Sequence, residues 1–172
     1  TLCALQEQYG FTDDEICQAL FNAAAIGYLI TRNATTAGAE GGCQAEVGSA
    51  SAMAASAAVE LFGGTPRQCM DAASFAMVNI LGLVCDPIGG LVENPCQNRN
   101  AMGASNALIS AELSLAGVKS ITPIDETIGV MYAVGRSIPS ELRETSLGGM
   151  AVAKSACENC MACANKRNKM KK

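Results

Sequence analysis

The stretch VGSASAMAASAAVELFGGTPRQCMDAASFAMVNILGLV, residues 47–84, decides the fold class of this chain. Its first part, 47–62, is filled with Ala and Ser, small residues that let helices pack closely. Gly63 and Gly64 form a natural C-terminal stop for that helix. Thr65 then caps a second helix, with Pro at its first position and Gln68 completing a capping box. This second helix is predicted to run to about residue 84.

Helical patterns also surround this pair of helices. Upstream, Thr12 and Glu15 form a capping box ahead of the apolar run 16–30. No stretch alternates with the period of two that is typical of a strand. Further helices are predicted at about 101–116 (ended by Gly117), 126–136 (capped by Asp125) and 139–144. We therefore predict an all-α fold, a compact bundle of about five or six helices.

Two Gly/Pro-rich loops interrupt this helical pattern. The first follows residue 33, is rich in Thr, Ala and Gly, and contains Cys43. The second is CDPIGGLVENPCQNRN, residues 85–100, in which Pro87 and Pro95 prevent a continuous helix or a central strand. Loops of this kind let side chains from distant parts of the chain meet at one point.

Charge and hydropathy restrict the kinds of partner. The formal net charge is −4 and the sequence pI is near 4.8, which argues against a nucleic-acid partner. No apolar run approaches the roughly 20 residues that a membrane span needs, so we expect no membrane segment. Thr1 is not an initiator Met, and we expect the chain to be a fragment that lacks an N-terminal part.

The chain contains nine cysteines and no histidine. Nine is an odd number, and a secreted disulfide scaffold would be smaller and richer in loops than this helical sequence. A reduced, cytoplasmic protein with metal-bound thiolates fits better. The absence of histidine excludes a Ser–His or Cys–His catalytic pair within the chain, and any zinc site of the His-ligated type.

Three cysteines are predicted to be structural. Cys3 and Cys17 lie within helical apolar patterns, and Cys69 lies in the first turns of the helix that begins at Pro66. A cysteine in such a position usually acts as a small buried hydrophobe.

Cys43, Cys85 and Cys96 differ because each lies in or beside a Gly/Pro-rich loop at a helix boundary. Cys43 precedes a helix and Cys96 nearly does, and a helix N-terminus favours the thiolate. Free N–H groups at such positions can also bond cluster sulfurs. Spacing alone leaves ordinary loop thiols as an alternative, because no short CxxC motif joins the three.

The C-terminal segment contains the run CENCMAC, in which Cys157, Cys160 and Cys163 have the C-x2-C-x2-C spacing of cluster ligands. A zinc or adventitious site and free thiols are the alternatives. Five Lys and Arg residues crowd the last seven positions, which is typical of a solvated tail. We predict a helical cluster-binding domain over 1–149 and a basic, cysteine-containing tail over 150–172.

Three longer strings point to a family. GGCQAEVGSASAMAA (41–55), LVCDPIGGLVENPCQNRNAMGASNA (83–107) and SELRETSLGG (140–149) resemble the alpha part of bacterial iron–sulfur L-serine dehydratases. The resemblance extends over about residues 33–149, in the same order and at matching intervals. Strings of this length are far more specific than a short motif.

The resemblance implies a component of an enzyme that converts L-serine to pyruvate and ammonia without pyridoxal phosphate. It implies an oxygen-labile 4Fe–4S cluster held at the positions of Cys43, Cys85 and Cys96. The fourth iron would have no permanent protein ligand and would bind the substrate as a Lewis acid.

The resemblance also implies further protein. The family has a β subunit or a fused β domain, whose histidines are candidate acid–base groups, and we expect an oligomer. Some members place a C-terminal cysteine on the open iron at rest. Cys157, Cys160 and Cys163 are candidates for that role here.

Polar residues beside the predicted ligands are candidate substrate contacts. Arg99 could clamp the substrate carboxylate bidentately, or bond loop carbonyls as a structural residue. Asn98 and Asn100 could orient the substrate or cap the helix predicted from residue 101. Asp86 fits the start of a turn. Glu46 fits a surface acid near a helix N-terminus.

Two other functions stay open. One is a lyase of the L-cysteine desulfidase type with the same cluster, which comparing serine and cysteine turnover would distinguish; the loop 85–100 favours serine. The other is a non-catalytic iron–sulfur or metal-binding module built on CENCMAC. That module would lose all its iron on truncation after Gly149, whereas the dehydratase cluster would survive.

Overall fold

The computed structural model describes residues 1–159 of the 172-residue chain. Over this part the chain is all-α, as predicted, and the one departure is an isolated bridge between Cys85 and Arg143. The helices are α1 Leu2–Tyr9, α2 Asp13–Asn33, α3 Gly38–Gly41, α4 Ser49–Leu61, α5 Pro66–Asn79, α6 Cys96–Leu115, α7 Ile124–Ser137 and α8 Lys154–Asn159. A π-helical turn, Gln44–Gly48, precedes α4, and 3-10 turns occupy Ile88–Gly90, Ser140–Leu142 and Gly149–Val152.

Both predicted capping boxes are confirmed. Thr12 Oγ1 accepts the backbone N–H of Glu15 at 3.3 Å, and the Glu15 carboxylate accepts the backbone N–H of Thr12 at 2.7 Å. Thr65 and Gln68 make the same reciprocal pair at the start of α5. Each box satisfies backbone donors that the first turn of a helix leaves without partners.

The predicted end of α5 is wrong, because the helix stops at Asn79 and not near residue 84. The chain leaves the helix through Gly82, whose φ of +85° suits glycine far better than a side-chain-bearing residue. The segment 80–83 instead bonds the π-turn: Gly82 N donates to the Gln44 side chain and Gln44 N donates to Leu83 O. Tertiary hydrogen bonds therefore override an apolar pattern that could have continued the helix.

Two helix starts also differ from prediction. α6 begins at Cys96, five residues before the predicted 101, so Asn98 and Asn100 lie inside the helix and do not cap it. Arg99 N already bonds Pro95 O at 3.1 Å in its first turn. α7 begins at Ile124, so Asp125 belongs to its first turn and is not its cap.

The core is built from small residues on α4. Ala52, Ala55 and Ala58 are fully buried, and α4 packs against α2, α5 and α6. Small side chains let these helices approach closely, and Ile26 of α2 and Met77 of α5 fill the space beside them. None of the helices over 1–159 is long and apolar enough to cross a membrane.

Candidate metal centre

The segment that contains Cys43 and the later segment 85–96 bring Cys43, Cys85 and Cys96 into one region. Cys43 immediately precedes the π-turn, Cys85 ends the irregular segment after α5, and Cys96 is the first residue of α6. All three thiols are buried, with 2%, 3% and 6% of their surface exposed, and none is in a disulfide. Buried, unpaired thiols held on separate loops are able to converge on one metal group.

Gln44 fixes the position of Cys43. Its side chain is buried, donates to Met131 O of α7 at 2.8 Å and accepts from Gly82 N at 2.8 Å. One amide side chain therefore ties the π-turn to α7 and to the segment that leads to Cys85. A π-turn inside helical structure is common at functional sites.

The backbone of Cys85 is anchored by the segment after α7. Cys85 N donates to Leu142 O at 2.8 Å, and Glu144 N donates to Cys85 O at 2.7 Å. These two bonds form the isolated bridge and hold the SELRETSLGG string against the thiols.

Arg99, which is partly buried, forms an ion pair with the buried Asp86 beside the thiols. Arg99 Nη1 lies 2.6 Å from Asp86 Oδ1, 2.8 Å from Val84 O and 3.9 Å from Cys43 Sγ. Asp86 Oδ2 also accepts Met150 N at 2.6 Å. The pair therefore connects the first turn of α6, the loop after Cys85 and the 3-10 turn Gly149–Val152.

The tightest cluster of donor atoms consists of Cys43, Cys85 and Glu46. Their ligand atoms all lie within 4.8 Å of one another, and Cys96 falls outside this group. Glu46 is exposed at the surface, and its carboxylate lies 3.9 Å from Cys43 Sγ. Sequence reasoning assigned Glu46 to the surface and Asp86 to a turn. The only signal in the sequence that linked Glu46 to the site was its position three residues after Cys43. In a helix, residues three apart lie on the same face.

The surroundings of the three thiols shift their pKa values in different directions. Hydrogen bonding with the Cys85 side chain lowers the pKa of Cys43, and the Arg99 guanidinium lowers it further, against the opposing effect of burial. The same interaction with Cys43 raises the pKa of Cys85, as does its burial. Burial raises the pKa of Cys96, and the charge of Cys43 adds to this. One thiolate is thus favoured at Cys43, beside a guanidinium.

This donor set fits a thiolate-bound metal group. Soft thiolate ligands select zinc, copper(I) and iron–sulfur groups, whereas magnesium and calcium prefer oxygen. Gly42, next to Cys43, has a φ of +76°, and a Cβ there would lie 2.8 Å from Leu83 O. The backbone therefore turns tightly where the Cys43 and Cys85 segments meet.

Known proteins resemble the chain across this region. The family model for the serine dehydratase alpha chain matches residues 1–151, which is most of the sequence. The chain belongs to the serine dehydratase alpha-chain family. The family that the three sequence strings indicated is thereby confirmed.

Relatives in this family are similar over most of the chain. A probable L-serine dehydratase alpha chain of Bacillus subtilis is 54% identical over 151 residues, which are 88% of this chain and 50% of that protein. The L-serine dehydratase alpha chain of Peptoniphilus asaccharolyticus is 56% identical over 153 residues, 89% of this chain and 52% of that protein. An L-serine dehydratase of Mycobacterium tuberculosis is 47% identical over 145 residues, 83% of this chain and 31% of that protein. The chain thus spans about half the length of the two alpha chains.

Of the remaining predicted site residues, Asn98 and Asn100 flank Arg99 on α6, and part of the CENCMAC run lies beyond the described residues. Asn98 is exposed on α6, and Asn100 lines a cavity of about 170 Å³ together with Val47, Ser51 and Gly103. Of the CENCMAC run, Cys157 lies in α8 by its backbone, whereas Cys160 and Cys163 lie outside the described residues.

The structural cysteines match the prediction in one case of three. Cys69 is buried, as predicted. Cys3 and Cys17 are exposed, so the prediction that they are buried is wrong. They lie on the outward faces of α1 and α2, and an apolar helical pattern does not show which of its faces the rest of the protein covers.

Proposed function

We propose that the chain is the α component of an L-serine dehydratase, which converts L-serine to pyruvate and ammonia. Membership of the serine dehydratase alpha-chain family supports this proposal. The single observation that carries it is that the three cysteines of the family strings are buried and unpaired, with Cys43 and Cys85 in one donor cluster and Cys96 near enough to Cys43 for its charge to act on the Cys96 thiol. A lyase site needs this convergence, whereas a module built only on CENCMAC does not.

We propose that Cys43, Cys85 and Cys96 hold a 4Fe–4S cluster with one iron that lacks a protein ligand. When bound, such a cluster supplies a Lewis acid for the hydroxyl and carboxylate of serine, which offsets the poor leaving ability of hydroxide. Three thiolates, and not four, are consistent with an open coordination position. Cys157, Cys160 or Cys163 is proposed to cover that position at rest.

Arg99 is the proposed substrate-carboxylate residue. It uses one nitrogen, Nη1, for Asp86, Val84 and Cys43, and its side chain is 15% exposed. The guanidinium fork is therefore fixed in orientation next to Cys43, and an ion-paired Arg keeps donors to spare for a second carboxylate. Asn98 and Asn100, in the same two turns of α6, are proposed as further substrate contacts.

The general base is proposed to come from protein outside these 172 residues, either the part of the α component that the chain does not match or a companion β part. The chain has no histidine, and it matches 50% of the Bacillus subtilis alpha chain and 31% of the Mycobacterium tuberculosis enzyme. An apolar surface supports such an association: between residues 101 and 116 the only charge is Glu112. Exposed Met102, Leu108, Ile109 and Leu113 lie on α6 in this range, and an apolar patch of this kind usually contacts another protein surface.

The working protein is proposed to be an oligomer that functions in the cytoplasm, where thiols stay reduced. Within the chain, residues 1–149 are proposed as the cluster-binding domain and 150–172 as a tail.

The test is anaerobic reconstitution with iron and sulfide, followed by iron analysis and a visible spectrum with and without L-serine. About four irons per chain and a spectrum that serine perturbs are expected for one 4Fe–4S cluster with an open iron. Cys43→Ala, Cys85→Ala and Cys96→Ala should each abolish the cluster, and Cys69→Ala is the matched control. A Cys96→Ala chain with full iron content would contradict the proposal.

Turnover is measured with the companion part present. Pyruvate should form from L-serine in preference to L-cysteine. Preferred release of sulfide from L-cysteine would replace the dehydratase assignment with a desulfidase.

A further inference from the structure

Cys43, Cys85 and Glu46 form a more compact group than the three cysteines do. Their three ligand atoms lie within 4.8 Å of one another, and Cys96 is not among them. We propose that these three residues form a mononuclear site for a thiophilic divalent cation of the zinc class, and that such an ion competes with cluster assembly. The competition rests on the proposed function, whereas the mononuclear site does not.

The spacing suits one ion. Two thiolates on a tetrahedral zinc lie about 3.8 Å apart, because each Zn–S bond is about 2.3 Å long. The ligand atoms all lie within 4.8 Å of one another, so the contraction needed to reach this geometry is at most about 1 Å. In a 4Fe–4S cluster each thiolate binds a different iron, so the ligands of a cluster stand farther apart than those of a single ion.

The charges favour a divalent cation. With both thiols ionised, the three donors carry three negative charges. Arg99 Nη1 lies 3.9 Å from Cys43 Sγ, but its positive charge is already paired with Asp86. A divalent ion offsets most of the donors' negative charge, and the thiol protons pass to solvent when it binds. Two sulfurs and one oxygen, with a fourth position open to water, match the ligands that zinc accepts.

The Glu46 carboxylate is held in place by its surroundings. A Cβ on Gly38 would lie 2.9 Å from Cδ and from both oxygens of Glu46, so the carboxylate occupies the space that the missing side chain leaves. Glu46 is exposed while both sulfurs are buried.

The two kinds of occupancy need different residues. The cluster needs Cys96 and not Glu46, whereas the mononuclear site needs Glu46 and not Cys96. A Glu46 substitution should therefore remove the mononuclear site and leave the cluster, and a Cys96 substitution should do the reverse. Failure of this proposal can thus be told apart from failure of the proposed function.

The experiment uses the full chain with Cys157, Cys160 and Cys163 changed to Ser, because the CENCMAC run could itself bind zinc. The reduced, anaerobic protein is titrated with Co²⁺ as a spectroscopic probe and then with competing Zn²⁺. One Co²⁺ per chain is expected, with sulfur-to-cobalt charge-transfer absorption and the visible bands of tetrahedral cobalt.

Variants of the same protein test the ligands. Glu46→Gln should weaken Zn²⁺ binding at least about tenfold, since the loss of supporting groups around a metal already costs that much. Gly38→Ala should act in the same direction by displacing the carboxylate. Cys96→Ser should bind Zn²⁺ as tightly as the parent, and Glu112→Gln on the exposed face of α6 is the matched control.

Three outcomes would overturn the proposal: a Glu46→Gln chain that binds Zn²⁺ like the parent, a Cys96→Ser chain that no longer binds it, or a zinc-loaded parent that still takes up a full cluster. The expected result of the last test is little iron uptake until a chelator removes the zinc. Glu46→Gln should accept iron and sulfide to the level of the parent, even with Zn²⁺ present at a concentration that blocks the parent. A parent that binds Zn²⁺ but never assembles a cluster contradicts the proposed function alone.

Discussion

At the scale of single residues, the pairing of Arg99 with Asp86 holds the site together. Their side chains are 15% and 3% exposed, and their 2.6 Å contact joins α6 to the loop after Cys85. A buried pair of this kind adds little stability compared with an apolar pair, but removing one partner leaves a buried charge uncompensated. The pair therefore fixes geometry more than it stabilises the fold.

We expect Arg99→Ala to lower the free energy of unfolding by about 3 kcal/mol, because Asp86 then stays buried without its cation. Urea unfolding followed by circular dichroism measures this, with Lys119→Ala in an exposed loop as a control expected to change it by less than about 0.5 kcal/mol. Adding Asp86→Asn to Arg99→Ala should recover part of the loss. A loss below about 1 kcal/mol in the single variant would show that water screens the pair.

Cys69 should be far less reactive than the exposed thiols. Burial raises its pKa, so the neutral thiol predominates and alkylation is slow in the folded chain. The pKa of Cys69 is higher in the folded than in the unfolded chain, so its neutral thiol contributes to the free energy of unfolding. This contribution is fully present below the ordinary thiol pKa and is lost as the pH rises through the pKa of Cys69 in the folded chain. Mass spectrometry after a short iodoacetamide pulse should show Cys3 and Cys17 modified first. Equal labelling of Cys69 at neutral pH would contradict its burial.

At the scale of elements, α7 matters because it packs directly on the segment that carries Cys43. A Cβ on Gly135 would lie 2.7 Å from Gly41 Cα and 3.0 Å from Gly41 O, which are backbone atoms that cannot move without shifting α3. The same helix contains Gly129, where a Cβ would meet nothing within 4 Å. One helix thus offers a crowded and an open glycine for comparison.

Gly135→Ala should destabilise the chain by about 1–3 kcal/mol through overpacking, and it should reduce iron uptake because α3 and Cys43 are displaced. Gly129→Ala should be neutral or stabilise by up to about 1 kcal/mol, since alanine favours a helix. Thermal unfolding and iron content after reconstitution measure the two effects. Similar behaviour of the two variants would mean that α7 does not press on α3.

At the scale of the whole molecule, the site is closed by segments from both halves of the chain. Met150 N bonds the buried Asp86, and Ala151 is itself buried, so the turn Gly149–Val152 belongs to the site structurally. Cutting after Gly149 would remove that contact along with the tail. Truncation after Asn159 removes Cys160 and Cys163 of the CENCMAC run and leaves the contact between Met150 and Asp86 in place.

We expect a chain ending at Asn159 to keep the cluster on Cys43, Cys85 and Cys96, because every contact described around these thiols lies within 1–159. Iron and sulfide analysis after anaerobic reconstitution of the full and shortened chains measures this. A full-length variant with Cys160 and Cys163 changed to Ser shows whether any change in iron content comes from the missing thiols or from the missing length of chain. Complete loss of iron in both variants would favour the non-catalytic module on CENCMAC.

The sequence by itself determined the helical class, both capping boxes and the family, because these depend on local patterns and on long strings such as CDPIGGLVENPCQNRN. It also separated Cys43, Cys85 and Cys96 from the helical cysteines by their loop context.

Only the tertiary structure decided where α5 ends and where α6 begins. The hydrogen bonds of Gln44 replace the last turn of α5, which the sequence pattern would have extended. It also decided that Glu46 stands beside Cys43 and that Asp86 pairs with Arg99, whereas Cys17 faces solvent. Local sequence specifies which backbone groups need partners, but the partner of a buried charge or thiol comes from another segment, and only the packing of the helices brings the two together.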